Sequence, residues 1–150
     1  MAQTFSNLLF HVVFSTRYRK PYLDAELKPQ ILASLGGIVR ELEGKALMIN
    51  GAADHIHMLV ALPPTISIAE ALRVIKTNSS RWVHEKWSLR RSFAWQAGYA
   101  AFSISQSNVA QVIRYMVDQE KHHQKVSFQA EFISYLKKHG ISYDERYIWE

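Results

Sequence analysis

The sequence predicts an α+β fold built on one antiparallel sheet. Three observations carry this. Short apolar runs rich in β-branched and aromatic residues alternate with longer segments whose apolar residues recur every three to four positions. No repeat, low-complexity tract or Gly/Ser linker interrupts the chain, so residues 1–150 read as a single domain. At 150 residues and 48% hydrophobic content, the chain can bury roughly two-thirds of its unfolded surface and needs no covalent staple.

The elements follow in order. Residues 5–14 (FSNLLFHVVF) read as a buried strand, broken by the polar stretch 15–22 with Pro21. From Asp24 to Glu43, Leu27, Ile31, Leu35, Ile38, Val39 and Leu42 keep helical spacing, and Gly44 is the expected stop. Gly36-Gly37 weakens that helix. Strands are expected at 46–50 and 55–62, joined by Gly51-Ala52-Ala53-Asp54 and closed by Pro63-Pro64. Ser67-x-x-Glu70 is a capping box opening a helix that runs to about Trp87. GYAAFSIS, residues 98–105, is a fourth strand. Helices are then expected at 107–122 and 128–139, the last ending at Gly140. The order is a ferredoxin-like β-α-β-β-α-β core, helices on one face of the sheet, with two C-terminal helices appended.

Cysteine is absent, which excludes a disulfide scaffold, a thiolate metal site and a cysteine nucleophile. The apolar runs are strand-sized and residues 1–14 lack a basic start, so neither a membrane span nor a signal peptide is expected, and the expected location is cytoplasmic. The net charge of +5 is unevenly placed. Residues 73–91 hold Arg73, Lys76, Arg81, Lys86, Arg90 and Arg91 against the single acid Glu85, while the rest of the chain carries twelve of each sign. A local positive excess suits a polyanion, although a solvated helix face has the same composition. On the 67–87 helix, Arg73, Lys76, Thr77, Ser80, Arg81 and His84 share one face and Ile68, Ala71, Leu72, Ile75, Trp82 and Val83 the other. Trp87, Trp95, Tyr99 and Phe102 supply aromatic surface that either stacks bases or packs in the core.

Two constellations offer chemistry. In Asp54-His55-Ile56-His57 the two imidazoles stand on one face of a strand, opposite Ile56, Met58 and Val60. Such a pair is half of a divalent-metal site, or simply two half-exposed histidines on a sheet. On the 107–122 helix, Val109, Val112, Ile113, Met116 and Val117 form an apolar stripe within roughly 140° of arc. Tyr115, Gln119 and His122 lie off that stripe within roughly 60° of each other.

Together these residues resemble the single-tyrosine HUH transposases of the insertion-sequence-two-hundred-like group, HUH denoting His-hydrophobic-His. The resemblance rests on Asp54-His55-Ile56-His57, VFSTRYRKPYL (13–23), IKTNSSRW (75–82), WQAGYAAFSIS (95–105) and YMVDQEKHH (115–123), in that order, and covers residues 5–148. It implies that His55, His57 and Gln119 hold one divalent metal, Mg²⁺ or Mn²⁺, and that Tyr115 is the nucleophile. It further implies a homodimer in which a tyrosine helix can complete the partner's site. The implied substrate is single-stranded DNA marked by hairpins, contacted by Arg73, Lys76 and Arg81 and by the Arg17-Tyr18-Arg19-Lys20 loop. Asp118-Gln119-Glu120 stands where relatives associated with repeated extragenic palindromes generally carry Asn-Pro, which favours a mobile-element enzyme. Two other readings fit the same residues: a non-catalytic hairpin-binding module, and a metal-dependent hydrolase that releases its products. Asp54, His122 and His123 receive no role.

Overall fold

The computed structural model describes residues 2–118 and 127–148. Four strands, β1 (Leu8–Ser15), β2 (Lys45–Gly51), β3 (His55–Leu62) and β4 (Ala100–Ile104), form one sheet in the order β2-β3-β1-β4. Every neighbouring pair is antiparallel. The helices are α1 (Leu27–Glu41), α2 (Ile68–Lys86), α3 (Val109–Val117) and α4 (Phe128–Lys138). This is the predicted α+β arrangement. Among the described residues no helix is long and apolar enough to cross a membrane.

Strand alternation divides the protein into two cores. Val12 and Phe14 of β1 and Ile56, Met58 and Val60 of β3 point to the face covered by α1 and α2, where they pack with Leu27, Ile31, Leu35, Leu72, Ile75 and Val83. Val13, Ala100 and Phe102 point the other way and pack with Phe128, Phe132 and Leu136 of α4. The helices therefore do not all lie on one face, as expected from the β-α-β-β-α-β core alone. The back face of β1 and β4 is apolar, and an amphipathic helix following the core removes it from water.

Element ends shift for local reasons. β1 starts later than expected because Phe5 lies outside the sheet and is 87% exposed. α1 ends at Glu41, and it is Glu43, not Gly44, that takes the left-handed conformation (φ 63°). Gly44 is required for space: a Cβ there would sit 2.8 Å from the Ala61 carbonyl oxygen. Ser67 caps α2 by accepting from the Glu70 amide at 3.1 Å, while the Glu70 carboxylate turns outward to Arg73. Among the described residues the apolar stripe of α3 is only partly covered. Met116 is buried, Val109, Val112 and Ile113 are half-buried, and Val117 is 56% exposed. Asn50 anchors the helix by donating to the Met116 carbonyl at 2.9 Å.

Candidate active site

β3 lies inside the sheet, and its register sets His57 opposite Val13 and His55 opposite Ser15. His55 and His57 consequently share the face covered by α4, as the two-residue period requires. They are not half-exposed: His55 is 1% and His57 0% accessible. The His55 ring stacks on Phe128, with centroids 4.1 Å apart. The tight β2–β3 turn depends on Gly51, since a Cβ at that position would meet the His55 carbonyl oxygen at 2.2 Å.

Each ring is oriented by a partner on its Nδ1. His55 Nδ1–H donates to Asp54 Oδ1 at 2.7 Å, so a ligating lone pair on this ring belongs to Nε2. Asp54, without a role in sequence reasoning, is thereby an orienting group. His57 Nδ1 lies 2.8 Å from Nε2 of His11, a β1 residue on the same face. On the far side, His57 Nε2 is 2.9 Å from Glu131 Oε1 of α4. As a carboxylate, Glu131 accepts from His57 Nε2–H and, through its other oxygen, from the Tyr115 hydroxyl. His57 Nδ1 is then an acceptor for His11 Nε2–H. The result is a buried chain, His11–His57–Glu131–Tyr115, tying β1, β3, α4 and α3 together.

The surroundings set the protonation states. Burial first, then the neighbouring His57, lowers His11 to about 3, so it is neutral near pH 7. Burial and the hydrogen bonds to Glu131 and Tyr135 hold the Tyr115 phenol well above the usual tyrosine range. Tyr135 is raised as well, chiefly by burial. Tyr115 is thus held as the neutral phenol, its ring centroid 6.1 Å from that of His57. A cavity of about 510 Å³ opens beside the group, lined by His11, Ser103, Tyr115, Glu131, Tyr135 and His139.

One donor atom each from His55, His57 and Glu131 lie within 4.8 Å of one another, and all three residues are buried. Two imidazole nitrogens and a carboxylate oxygen suit a divalent cation. The proposed ligand Gln119 lies outside the described residues, as do His122 and His123. Glu131, His11 and Tyr135 were missed by sequence reasoning. The signals were present: Glu131 falls on the apolar stripe of its helix between Phe128 and Phe132, and strand parity from Val13 puts His11 on the face of His57.

The predicted DNA-contact residues lie elsewhere. Arg17, Tyr18 and Arg19 form a single 3-10 turn in which Tyr18 and Arg19 both take left-handed dihedrals (φ 54°). Its base is pinned by Arg17 N–H to Ala94 O at 2.8 Å and Thr16 Oγ1–H to Lys20 O at 2.6 Å. Arg17, Tyr18 and Lys20 are exposed. On α2, Arg73 and Arg81 are exposed, and Arg73 pairs with Glu70 at 2.6 Å. Lys76 is half-buried and donates to the carbonyls of Gln96 (2.6 Å), Ala97 (3.3 Å) and Gly98 (2.7 Å), so it holds a turn. Burial lowers its ammonium to about 8, which those three carbonyls oppose. A cavity of about 430 Å³ beside Arg73, Lys76 and Thr77 and another beside Arg17 and Tyr18 share Ala94, Trp95 and Ala97 as lining. Of the four candidate stacking aromatics, Trp95 and Phe102 are core residues, Trp87 is half-buried, and Tyr99 is 37% exposed in the first cavity.

A strand-borne histidine pair and a helix-borne tyrosine thus meet across one buried carboxylate on a ferredoxin-like sheet. The chain belongs to the IS200-like transposase family, whose sequence profile matches residues 4–119. It is 28% identical over 138 residues to the transposase for insertion sequence element IS200 of Salmonella typhimurium, covering 85% of this chain and 88% of that protein. It is 23% identical over 117 residues to the ISDra2 transposase TnpA of Deinococcus radiodurans, covering 75% of this chain and 84% of the relative. Two solved structures share the fold. A Deinococcus radiodurans protein assigned as a transposase superposes with a TM-score of 0.63 at 20% identity, covering 79% of this chain and 95% of its own. A REP-associated tyrosine transposase bound to a REP hairpin superposes with a TM-score of 0.61 at 14% identity, covering 84% and 76% respectively.

Proposed function

We propose that this protein is a DNA transposase that cleaves and rejoins single-stranded DNA at hairpin-marked ends. Tyr115 is the nucleophile, and His55, His57 and Gln119 hold a divalent metal, Mg²⁺ or Mn²⁺. The observation that carries this reading is the shared carboxylate: the Tyr115 hydroxyl and His57 Nε2 bond to the two oxygens of Glu131. A nucleophile and two candidate ligands from separate elements thus meet beside an open cavity. Membership in a transposase family supplies the substrate class.

The chemistry follows from those groups. When bound, the cation neutralises charge on the phosphate and orients the strand. Tyr115 must lose its proton to attack, and in the described arrangement that proton points to Glu131. The phenolic oxygen attacks phosphorus and the bond to the 3′-oxygen breaks. The leaving oxygen takes a proton to become a free 3′-hydroxyl, and the 5′ end stays on Tyr115 as a phosphotyrosine. One phosphodiester replaces another, so rejoining by a 3′-hydroxyl needs no external energy source.

Two further parts belong to the proposal. The exposed Val117 and half-covered stripe of α3 support a homodimer in which this helix meets a second copy. The turn that carries Arg17, Arg19 and Lys20, with Arg17 and Lys20 exposed, and the Arg73 and Arg81 face of α2 support a single-strand track, with Lys76 acting through the 96–98 turn.

The test is a covalent adduct. Wild-type protein incubated with end-containing single strands and Mn²⁺ is expected to give a protein–DNA band stable to denaturing electrophoresis, and Tyr115→Phe none. Free 5′-phosphate ends with no adduct would favour the hydrolase instead. Hairpin binding without cleavage under any metal would favour the binding module.

A further inference from the structure

Glu131 lies outside residues 4–119, the part of the chain that the family profile matches, yet it sits at the centre of the buried site. We propose that Glu131 is itself a ligand of the divalent cation, donating a carboxylate oxygen alongside His55 and His57 from the C-terminal helix. This rests on the reading of those histidines as ligands.

Three observations lead there. Glu131 is 4% exposed on a helix whose other inward residues are Phe128, Phe132 and Leu136, so a carboxylate among them is retained against a substantial desolvation cost. Two of its hydrogen bonds run to the groups of the proposed chemistry, His57 and Tyr115. Finally, the spacing fits. Neighbouring donors around an ion with bonds of about 2.1 Å lie about 3.0 Å apart, and His57 Nε2 and Glu131 Oε1 are 2.9 Å apart. The donor atoms of His55, His57 and Glu131 together stay within 4.8 Å.

The hydrogen bonds around the site accommodate an ion without a net change in protons. Coordination needs the lone pair of His57 Nε2, so the proton moves to Nδ1 and is donated to His11 Nε2. His11 then carries its own proton on Nδ1. Both rings remain neutral, and Glu131 exchanges a proton partner for the cation. The Tyr115 hydroxyl lies on the other carboxylate oxygen, so the same side chain would hold the ion and meet the nucleophile. A carboxylate also makes the donor set harder than two imidazoles and an amide, favouring Mn²⁺ and Mg²⁺.

The test reads metal binding without DNA. Mn²⁺ is titrated into full-length protein and the free ion followed by electron paramagnetic resonance. Glu131→Gln, which keeps the shape, is expected to weaken Mn²⁺ binding about tenfold or more. Tyr115→Phe, which removes a hydrogen bond to Glu131 but no donor to the ion, should weaken binding less than Glu131→Gln does. A metal-free thermal melt checks that each variant folds. If Glu131→Gln does not, Glu131→Asp is read in its place, with weakened binding again expected because the carboxylate is withdrawn by one methylene. Wild-type affinity in a folded Glu131 variant, with binding abolished in His57→Ala, overturns the assignment of Glu131 and leaves the histidine site standing. Absence of Mn²⁺ binding by wild-type protein that still forms the DNA adduct overturns the metal ligation as a whole.

Discussion

His11 shows how far one buried ring can govern a site. It sits on β1, 2% exposed, between His57 and the rings of Phe102 and Tyr135, and its one assigned hydrogen bond goes to His57 Nδ1. Protonating it would place a charge in an apolar layer beside His57. The folded protein therefore lowers it from 6.5 to about 3. The sign of the pH effect follows. Between pH 6.5 and 3 the unfolded chain holds this proton and the folded chain does not, so stability falls as the pH falls, by up to about 1.4 kcal/mol per pH unit from this group. Above pH 6.5 the contribution is complete and flat. Urea denaturation of metal-free protein at pH 7, 6, 5 and 4 should show that decline, and His11→Gln should flatten it. An unchanged slope in the variant would place the acid sensitivity elsewhere.

At the scale of elements, α4 turns a ferredoxin-like sheet into an enclosed site. Ser127 caps it by accepting from the Ala130 amide at 3.2 Å, and Phe128, Phe132 and Leu136 bury its inner face. Phe132→Ala should cost about 3 kcal/mol or more, since the neighbours cannot close over the lost ring; chemical denaturation measures it. The same change should raise the reactivity of His55 and His57 toward an imidazole-modifying reagent, because their cover is loosened. Strand positions were legible in the sequence because β3 is bounded by Gly51 through Asp54 and by Pro63-Pro64, and its period exposes the parity of His55 and His57. The helical period of 128–139 was legible too. Which sheet face that helix would cover was not, because periodicity describes an element's own surface and not its partner. Sequence reasoning therefore gives Glu131 no role. The α3 stripe carries the converse lesson: apolar spacing marks a face that seeks cover, and among the described residues Val117 stays 56% exposed.

Across the whole molecule, the buried site and the positive surface belong to different layers. The site lies between the sheet and α3 and α4, whereas the basic residues border the α2 side and the turn after β1. Much of the positive excess of residues 73–91 is already engaged in the fold. Arg90 pairs with Asp24 at 2.9 Å, Lys86 donates to Gln30 and lies over the rings of Trp82 and Trp87, and Lys76 holds the 96–98 turn. Arg81 makes no ion pair among the described residues, and Arg73 meets only the exposed Glu70, a contact that phosphate displaces at little cost. Arg17 stands across Ala94, Trp95 and Ala97 from that face. The combined change of Arg17, Arg73 and Arg81 to Ala should therefore flatten the dependence of single-strand affinity on salt by about two units of log–log slope. His57→Ala should leave that slope unchanged while removing cleavage, because the proposed function assigns positioning to the basic layer and cutting to the buried one. Fluorescence anisotropy across a salt series measures both. A slope unaffected by the three arginine changes would move the strand's path off this surface, whatever the fate of the adduct.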